Sequence, residues 1–218
     1  MQHKVSVESR MGKVITVAQQ KGGAGKTTLA VNLAVEFLQR GQRVALLDTD
    51  PQGSLGRWFM ARRDGVGIDG LDFSTASAWG VSYECEKLRK TNDLVIVDTP
   101  PKVDADLRPA LREADLVLIP VASSHLDLWA VDGVLDLILR ESRPALIVLN
   151  RWKSGTRLAD EVAQAAEGKA EIATARLGSR VAFAEVLGQG RGVGEGPKTP
   201  ARVEMAALAD EIAARLQP

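Results

Sequence analysis

The feature that most constrains this 218-residue chain is the run Gln20-Lys-Gly-Gly-Ala-Gly-Lys-Thr-Thr28. It follows the β-branched stretch Val14-Ile-Thr-Val-Ala18, which reads as a buried strand. It precedes Thr27 to Arg40, which reads as a helix with Leu29, Leu33, Phe37 and Leu38 roughly on one face and a stop at Gly41. A glycine-rich turn between a strand and a helix is built to hold phosphate. Gly22, Gly23 and Gly25 let the backbone curl without Cβ clashes, with Ala24 between them. The loop amides and the helix N-terminus then point N–H donors at anionic oxygens. Lys26 supplies positive charge near the β- and γ-phosphates, Thr27 offers a hydroxyl to Mg²⁺, and Thr28 opens the helix.

Four more apolar runs recur downstream: Val44–Leu47, Leu94–Val97, Leu116–Ile119 and Ala145–Leu149. They are continuous rather than alternating, as parallel strands buried on both faces require. Helical stretches around 104–113, 126–140 and 156–167 supply right-handed crossovers. The pattern predicts an α/β fold, a doubly wound, mostly parallel sheet with helices on both faces. In such sheets ligands bind beyond the carboxyl ends of the strands, and polar residues collect at those ends here: Gln19-Gln20-Lys21, Asp48, Asp98 and Asn150.

Asp48-Thr-Asp-Pro-Gln52 places two carboxylates two residues apart at one strand end. One of them can hold Mg²⁺ through water while the other orients an attacking water. Asp98-Thr-Pro-Pro101 ends the next apolar run. Asp98 reads as the carboxylate that binds a Mg²⁺-ligating water, and Thr99-Pro-Pro as a stiff turn beside the terminal phosphate.

Other chemistries are closed off. A lone cysteine, Cys85, can make neither an intramolecular disulfide nor a Cys₄ centre, and His3 and His125 lie far apart. The polar start has no apolar segment of a signal peptide, and no run is long enough to span a membrane. Residues 1–11 are expected to be a disordered N-terminal extension, with one domain over 12–218. The segment from Gly188 to Pro200 carries five glycines and predicts a mobile loop; Thr199 to Leu216 predicts a final helix, with Val203, Leu208, Ile212 and Leu216 apolar.

Lys21 at the head of the phosphate loop gives Lys-Gly-Gly-x-Gly-Lys-Thr, which resembles the deviant Walker A motif of the ParA/MinD ATPases. Asp48-Thr-Asp-Pro-Gln52 resembles the Asp-x-Asp-Pro-Gln motif of ParA proteins. The likeness covers residues 13 to about 150 and is nearest the short ParF-like partition ATPases, which lack an N-terminal operator-binding domain. It implies ATP and Mg²⁺ as cofactors and a homodimer formed with ATP, with Lys21 reaching the partner's nucleotide. It further implies Asp50 as the hydrolysis residue, Asp48 and Asp98 with Thr27 around the metal, and Asn150 against adenine. ATP hydrolysis is expected to be slow without a partner protein.

Within the resemblance several functions compete. ParA-type members ride non-specific double-stranded DNA as ATP dimers and position a cargo through a ParB-like or other adaptor. MinD-type members act at membranes through a basic amphipathic C-terminal helix. The final helix here is Ala-rich and mixed in charge, which argues against stable membrane association. The whole chain is charge-balanced, with 28 basic and 28 acidic residues, but residues 151–202 carry nine basic against six acidic. Arg176, Arg180, Arg191, Lys198 and Arg202 are the candidate DNA-backbone contacts. No aromatics are interleaved for single-strand stacking, so duplex is favoured. The expected setting is cytoplasmic and nucleoid-associated. A regulatory ATPase of the same superfamily is the alternative; a small-acid synthetase would need a substrate motif that the chain does not offer.

Overall fold

The computed structural model describes residues 11–101 and 107–217. Nearly all of the expected N-terminal extension, residues 1–10, therefore lies outside the described residues, as do 104–106 of the expected helix. The elements run β1 (Lys13–Val17), α1 (Lys26–Gln39), β2 (Val44–Asp48), α2 (Ser54–Gly65), β3 (Leu71–Thr75), α3 (Gly80–Leu88), β4 (Leu94–Asp98), α4 (Leu107–Glu113), β5 (Leu116–Val121), α5 (His125–Arg140), β6 (Ala145–Leu149), α6 (Arg157–Glu167), α7 (Ala182–Glu185) and α8 (Pro200–Leu216). Two 3₁₀ turns, Leu187–Gln189 and Val193–Glu195, lie between α7 and α8.

Six parallel strands form one sheet in the order β3-β2-β4-β1-β5-β6. β1 sits where the sheet's growth turns, with β2 and β3 to one side and β5 and β6 to the other. This is the doubly wound α/β sheet that the apolar runs predict.

The runs are continuous because neither face of the sheet meets water. In β4, Leu94 and Ile96 pack under α1, α2 and α8, while Val95 and Val97 pack with Val81, Cys85 and Leu88 of α3. Val117, Ile119 and Ile147 meet α5 and α6 through Leu128, Val131, Val134 and Val162. Cys85 is a buried free thiol in this layer and behaves as a small apolar side chain. Each such burial stabilises by about 1.5–3 kcal/mol, and the strand ends, where the polar residues begin, are what remains free for chemistry.

Four elements went unread in the sequence: β3, α2, α3 and the four-residue α7. β3 is an edge strand with only Leu71 buried, so it has no apolar run. α2 is rich in arginine, and one of its interior positions is held by Arg62. α3 is short, with Val81, Cys85 and Leu88 inward.

Two expectations change. α1 is buried almost all round, from Leu29 to Phe37, rather than along one stripe, and Leu38 lies at its margin. The glycine-rich segment is packed rather than free. Gly190, at φ +66°, passes so close to α2 that a Cβ would lie 2.2 Å from the Arg62 amide nitrogen, and a Cβ on Gly192 would lie 2.7 Å from Cβ of Val35. Glycine is there for close approach.

The final helix forms as expected, capped by Thr199, whose hydroxyl accepts from the Arg202 N–H at 3.4 Å. Its buried side is Ala201, Met205, Leu208, Ala209 and Ile212, packed with α1, whereas Val203 is exposed. Among the described residues no helix is long and apolar enough to cross a membrane.

Candidate nucleotide site

The phosphate loop leaves β1 and enters α1 through two left-handed glycines, Gly23 at φ 79° and Gly25 at φ 91°. Gly25 is the tighter requirement: it caps α1, and a Cβ there would sit 2.5 Å from Nδ2 of Asn150. Asn150, at the end of β6, donates from Nδ2 to the Ala24 carbonyl at 2.9 Å and accepts the Arg151 N–H at Oδ1. Sequence reasoning expects this amide to read adenine. In the structure it braces the phosphate loop, and that brace is what the missing side chain at Gly25 makes room for.

Lys26 is buried, and burial lowers its pKa against the opposing pull of Asp98 and Asp50. Thr27 donates its hydroxyl to Oδ2 of Asp98 at 2.6 Å. Asp98 is 1% exposed, and its other oxygen, Oδ1, has no hydrogen-bond partner among the described residues. Burial above all, opposed by the Thr27 hydrogen bond and reinforced by Asp48, pushes its pKa up to about 7. A buried carboxylate oxygen left without a donor is costly, and a divalent cation reached from this oxygen and from Thr27 would remove that cost. Among the described residues no three His, Cys, Asp or Glu side chains form a cage. One buried carboxylate with a free oxygen beside one hydroxyl suits Mg²⁺, which is held by one or two carboxylates together with phosphates and water. The residues present fit the ion.

Asp48 also has a structural task. It pairs across the ladder with Asp98, and both its oxygens accept backbone amides, Oδ1 from Asp50 at 3.0 Å and Oδ2 from Gly56 at 3.1 Å. Burial raises its pKa while these amides oppose the shift. It shapes the turn that carries Asp50 and starts α2. Asp50 is half-exposed, accepts the Gln52 N–H at 2.9 Å and lines the cleft. Thr99 is buried, its hydroxyl donating to the Val17 carbonyl at 2.8 Å, which ties the segment after β4 to the start of the phosphate loop.

The cleft holds about 730 Å³. One wall is Gly22, Gly23 and Gly25 to Thr28; facing it is one side of α2, Ser54, Arg57, Trp58 and Ala61, with Leu187 and Gly188 beyond. Arg57, Trp58, Leu187 and Gly188 were missed in the sequence. The signal available was the spacing Ser54, Arg57, Trp58, Ala61 directly after Asp50-Pro-Gln52, which is one face of a helix.

Lys21 points away from the cleft wall. Its Nζ makes an ion pair at 2.7 Å with Oδ2 of Asp127, a nearly buried residue in the first turn of α5. Of the basic residues named for DNA, Arg176 stacks over the Trp152 ring at 4.6 Å and shares a groove with Arg180. Arg180 is paired with Glu204. Arg202 donates to the Gly196 carbonyl at 2.6 Å, Lys198 is exposed, and Arg191 is exposed with its carbonyl held by the Trp58 indole at 3.1 Å. The Arg191 backbone is held against α2 by Trp58, while Arg176 and Arg180 line a groove with Trp152 and Glu204.

A model of the CobQ/CobB/MinD/ParA nucleotide-binding domain matches residues 15–193. The chain belongs to this family. It is 37% identical over 151 residues to maintenance of carboxysome distribution protein A of Halothiobacillus neapolitanus, an alignment covering 63% of this chain and 65% of that protein's length. It is 30% identical over 243 aligned positions to the chromosome-partitioning ATPase Soj of Thermus thermophilus, covering 93% of this chain and 96% of that one. In fold it is similar to the septum site-determining protein MinD of Pyrococcus horikoshii complexed with Mg-ADP, with a TM-score of 0.74 at 16% identity over 93% of this chain and 96% of that one. Membership in the family fixes the nucleotide-binding class of the cleft; the chemistry beyond it must come from this chain's own residues.

Proposed function

We propose that this protein is a ParA-type positioning ATPase that dimerises with ATP, binds non-specific duplex DNA and moves or spaces a cargo under the control of a partner protein. The observation that carries the reading is the set Lys26, Thr27 and Asp98 at the floor of the cleft, with Oδ1 of Asp98 free for a Mg²⁺-bound water. Relatives named for chromosome partitioning and carboxysome distribution support the class of task.

In this reading the phosphates lie on the loop amides and Lys26, and Asp50 orients the attacking water. Bound Mg²⁺ offsets charge that develops on the phosphoryl oxygens. Lys21 must leave Asp127 to reach a partner's nucleotide, so dimer formation includes the rupture of a 2.7 Å ion pair. Part of the binding energy of the correct state is spent there, which keeps the nucleotide-free chain monomeric. DNA contacts fall to Arg176, Arg191, Lys198 and Arg202, because Arg180 is already neutralised by Glu204. Two copies in a dimer double a set that is weak singly. The reading places the protein on the nucleoid in the cytoplasm.

The test is duplex DNA binding with ATP, ADP and no nucleotide over a salt series, for wild type and Lys21→Ala. Binding that needs ATP, weakens with salt and disappears in Lys21→Ala is the expected result. ATP binding without DNA binding in any state sinks the DNA reading, and sedimentation with anionic liposomes then tests a MinD-like role.

A further inference from the structure

The wall of the cleft facing the phosphate loop carries a cation that no other described residue engages through its side chain. α2 has three arginines, Arg57, Arg62 and Arg63, and they divide sharply by role. Arg62 is buried against Glu195, and Arg63 pairs with Asp64 at 2.9 Å. Arg57 is exposed, lines the cleft, and has no carboxylate or side-chain hydrogen-bond partner among the described residues.

Its backbone is not free to drift. The preceding residue, Gly56, donates its N–H to Oδ2 of Asp48 at 3.1 Å, and the following residue, Trp58, donates its indole N–H to the Arg191 carbonyl at 3.1 Å. Arg57 is therefore set in position relative to Asp48, and through Asp48 to Asp50, by contacts on either side of it. The charge balance gives it a task. The charged groups lining the cleft are Lys26, Asp50, Arg57 and Arg151. The positive charge of Lys26 is already engaged by Asp98 and Asp50. A polyphosphate entering the cleft brings several negative charges, and the planar guanidinium fork suits two phosphate oxygens at once.

We propose that Arg57 binds the phosphates of the nucleotide held by its own protomer, from the wall opposite Lys26. This deepens the reading of the cleft as an ATP site and rests on it. The phosphate chain is then gripped between two walls, and α2, which begins four residues after Asp50, is drawn onto the nucleotide as it binds.

The experiment titrates wild type, Arg57→Ala, Arg57→Lys and Lys26→Ala with a fluorescent ATP analogue and Mg²⁺, at protein concentrations below and above the onset of ATP-dependent dimerisation. Arg57→Ala is expected to bind about tenfold more weakly, the effect of losing one charge-assisted contact, with Arg57→Lys recovering part of the loss. The loss should be equal at low and high protein concentration, and the melting temperature of the nucleotide-free protein should not move, because the side chain is exposed and unpartnered. Wild-type affinity in Arg57→Ala overturns the proposal while leaving the ATP site intact, provided Lys26→Ala has lost binding. A loss that appears only above the dimerisation threshold also overturns it, by moving Arg57 onto the partner's nucleotide. Failure of wild type to bind, or undiminished binding by Lys26→Ala, would instead sink the ATP-site reading itself.

Discussion

The two walls of the cleft are built by opposite means. The phosphate-loop wall is nine contiguous residues whose glycines, lysine and threonine each have a chemical task, and it leaves a buried carboxylate oxygen unpaired. The α2 wall is assembled from segments some 130 positions apart. Arg62 donates to Oε1 of Glu195 at 2.9 Å and to the Gly190 carbonyl at 3.1 Å. Trp58 holds the Arg191 carbonyl, and Asn32 of α1 accepts the Val193 N–H at 2.8 Å. The first wall trades stability for chemistry, and the second supplies stability and carries almost no motif.

The largest test of that contrast is Arg62→Ala. Its side chain is 7% exposed and that of Glu195 12%. Breaking a buried pair by removing one partner leaves an uncompensated charge and costs about 3–5 kcal/mol; urea unfolding should show a loss of that order. Replacing both residues with apolar side chains of similar size should recover most of it. A cost as small as an exposed pair's, about 1 kcal/mol or less, would mean that the α2 wall is not the stabilising one.

The next effect is set by pH and belongs to the first wall. Burial raises Asp98 from 3.8 to about 7. An acid whose folded-state pKa is raised keeps a proton that the unfolded chain has already released, so stability of the nucleotide-free protein falls as pH rises from about 4 to about 7 and then levels off. Urea midpoints between pH 5 and 8 should trace this decline, and Asp98→Asn should flatten it. A slope that persists in Asp98→Asn would assign the titration elsewhere.

Lys26→Ala separates the walls from the other side. Nucleotide affinity should fall by about 10–100-fold, the worth of a hydrogen bond from a charged group at about 1.5–3 kcal/mol. The unfolding midpoint should stay level or rise, because desolvation already works against this lysine. Calorimetric titration with ATP and a parallel melt would decide it. Destabilisation as large as that of Arg62→Ala would erase the distinction.

The same contrast governs what could be read from the sequence. The strand ends at Asp48, Asp98 and Asn150 were legible because a two-sided parallel sheet announces each buried strand as an apolar run, and polar residues at its end stand out. The phosphate loop was legible because its chemistry is local. The backbone contacts of Asp48 were not legible, since a carboxylate that caps backbone amides looks identical in sequence to one that meets a metal. α2 was invisible because Arg62 occupies an interior position, and its partner Glu195 lies in a segment whose glycines read as looseness. Gly190, Gly192 and Gly194 mark close approach to α2 and α1, which only the tertiary pairing reveals. Lys21 was placed in the right loop, but its resting partner Asp127, 106 residues away, has no local signature.

The smallest effect tests where the second wall ends. α8 leaves the glycine-rich segment through Thr199, whose hydroxyl accepts the Arg202 N–H at a long 3.4 Å, with Pro200 in the first helical turn. Losing a threonine cap costs about 0.5–2 kcal/mol, and the long bond puts Thr199→Ala at the lower end. Proline holds the first turn in helical geometry without the cap, so the helix should shorten little. If the segment from Gly190 to Glu195 is held by Arg62, Trp58 and Asn32 rather than by its exit into α8, Thr199→Ala should lower the unfolding midpoint slightly and leave ATP affinity unchanged. A fall in affinity alongside it would show that the cleft feels α8 through Leu187 and Gly188, and the second wall would then have to be drawn to include the final helix.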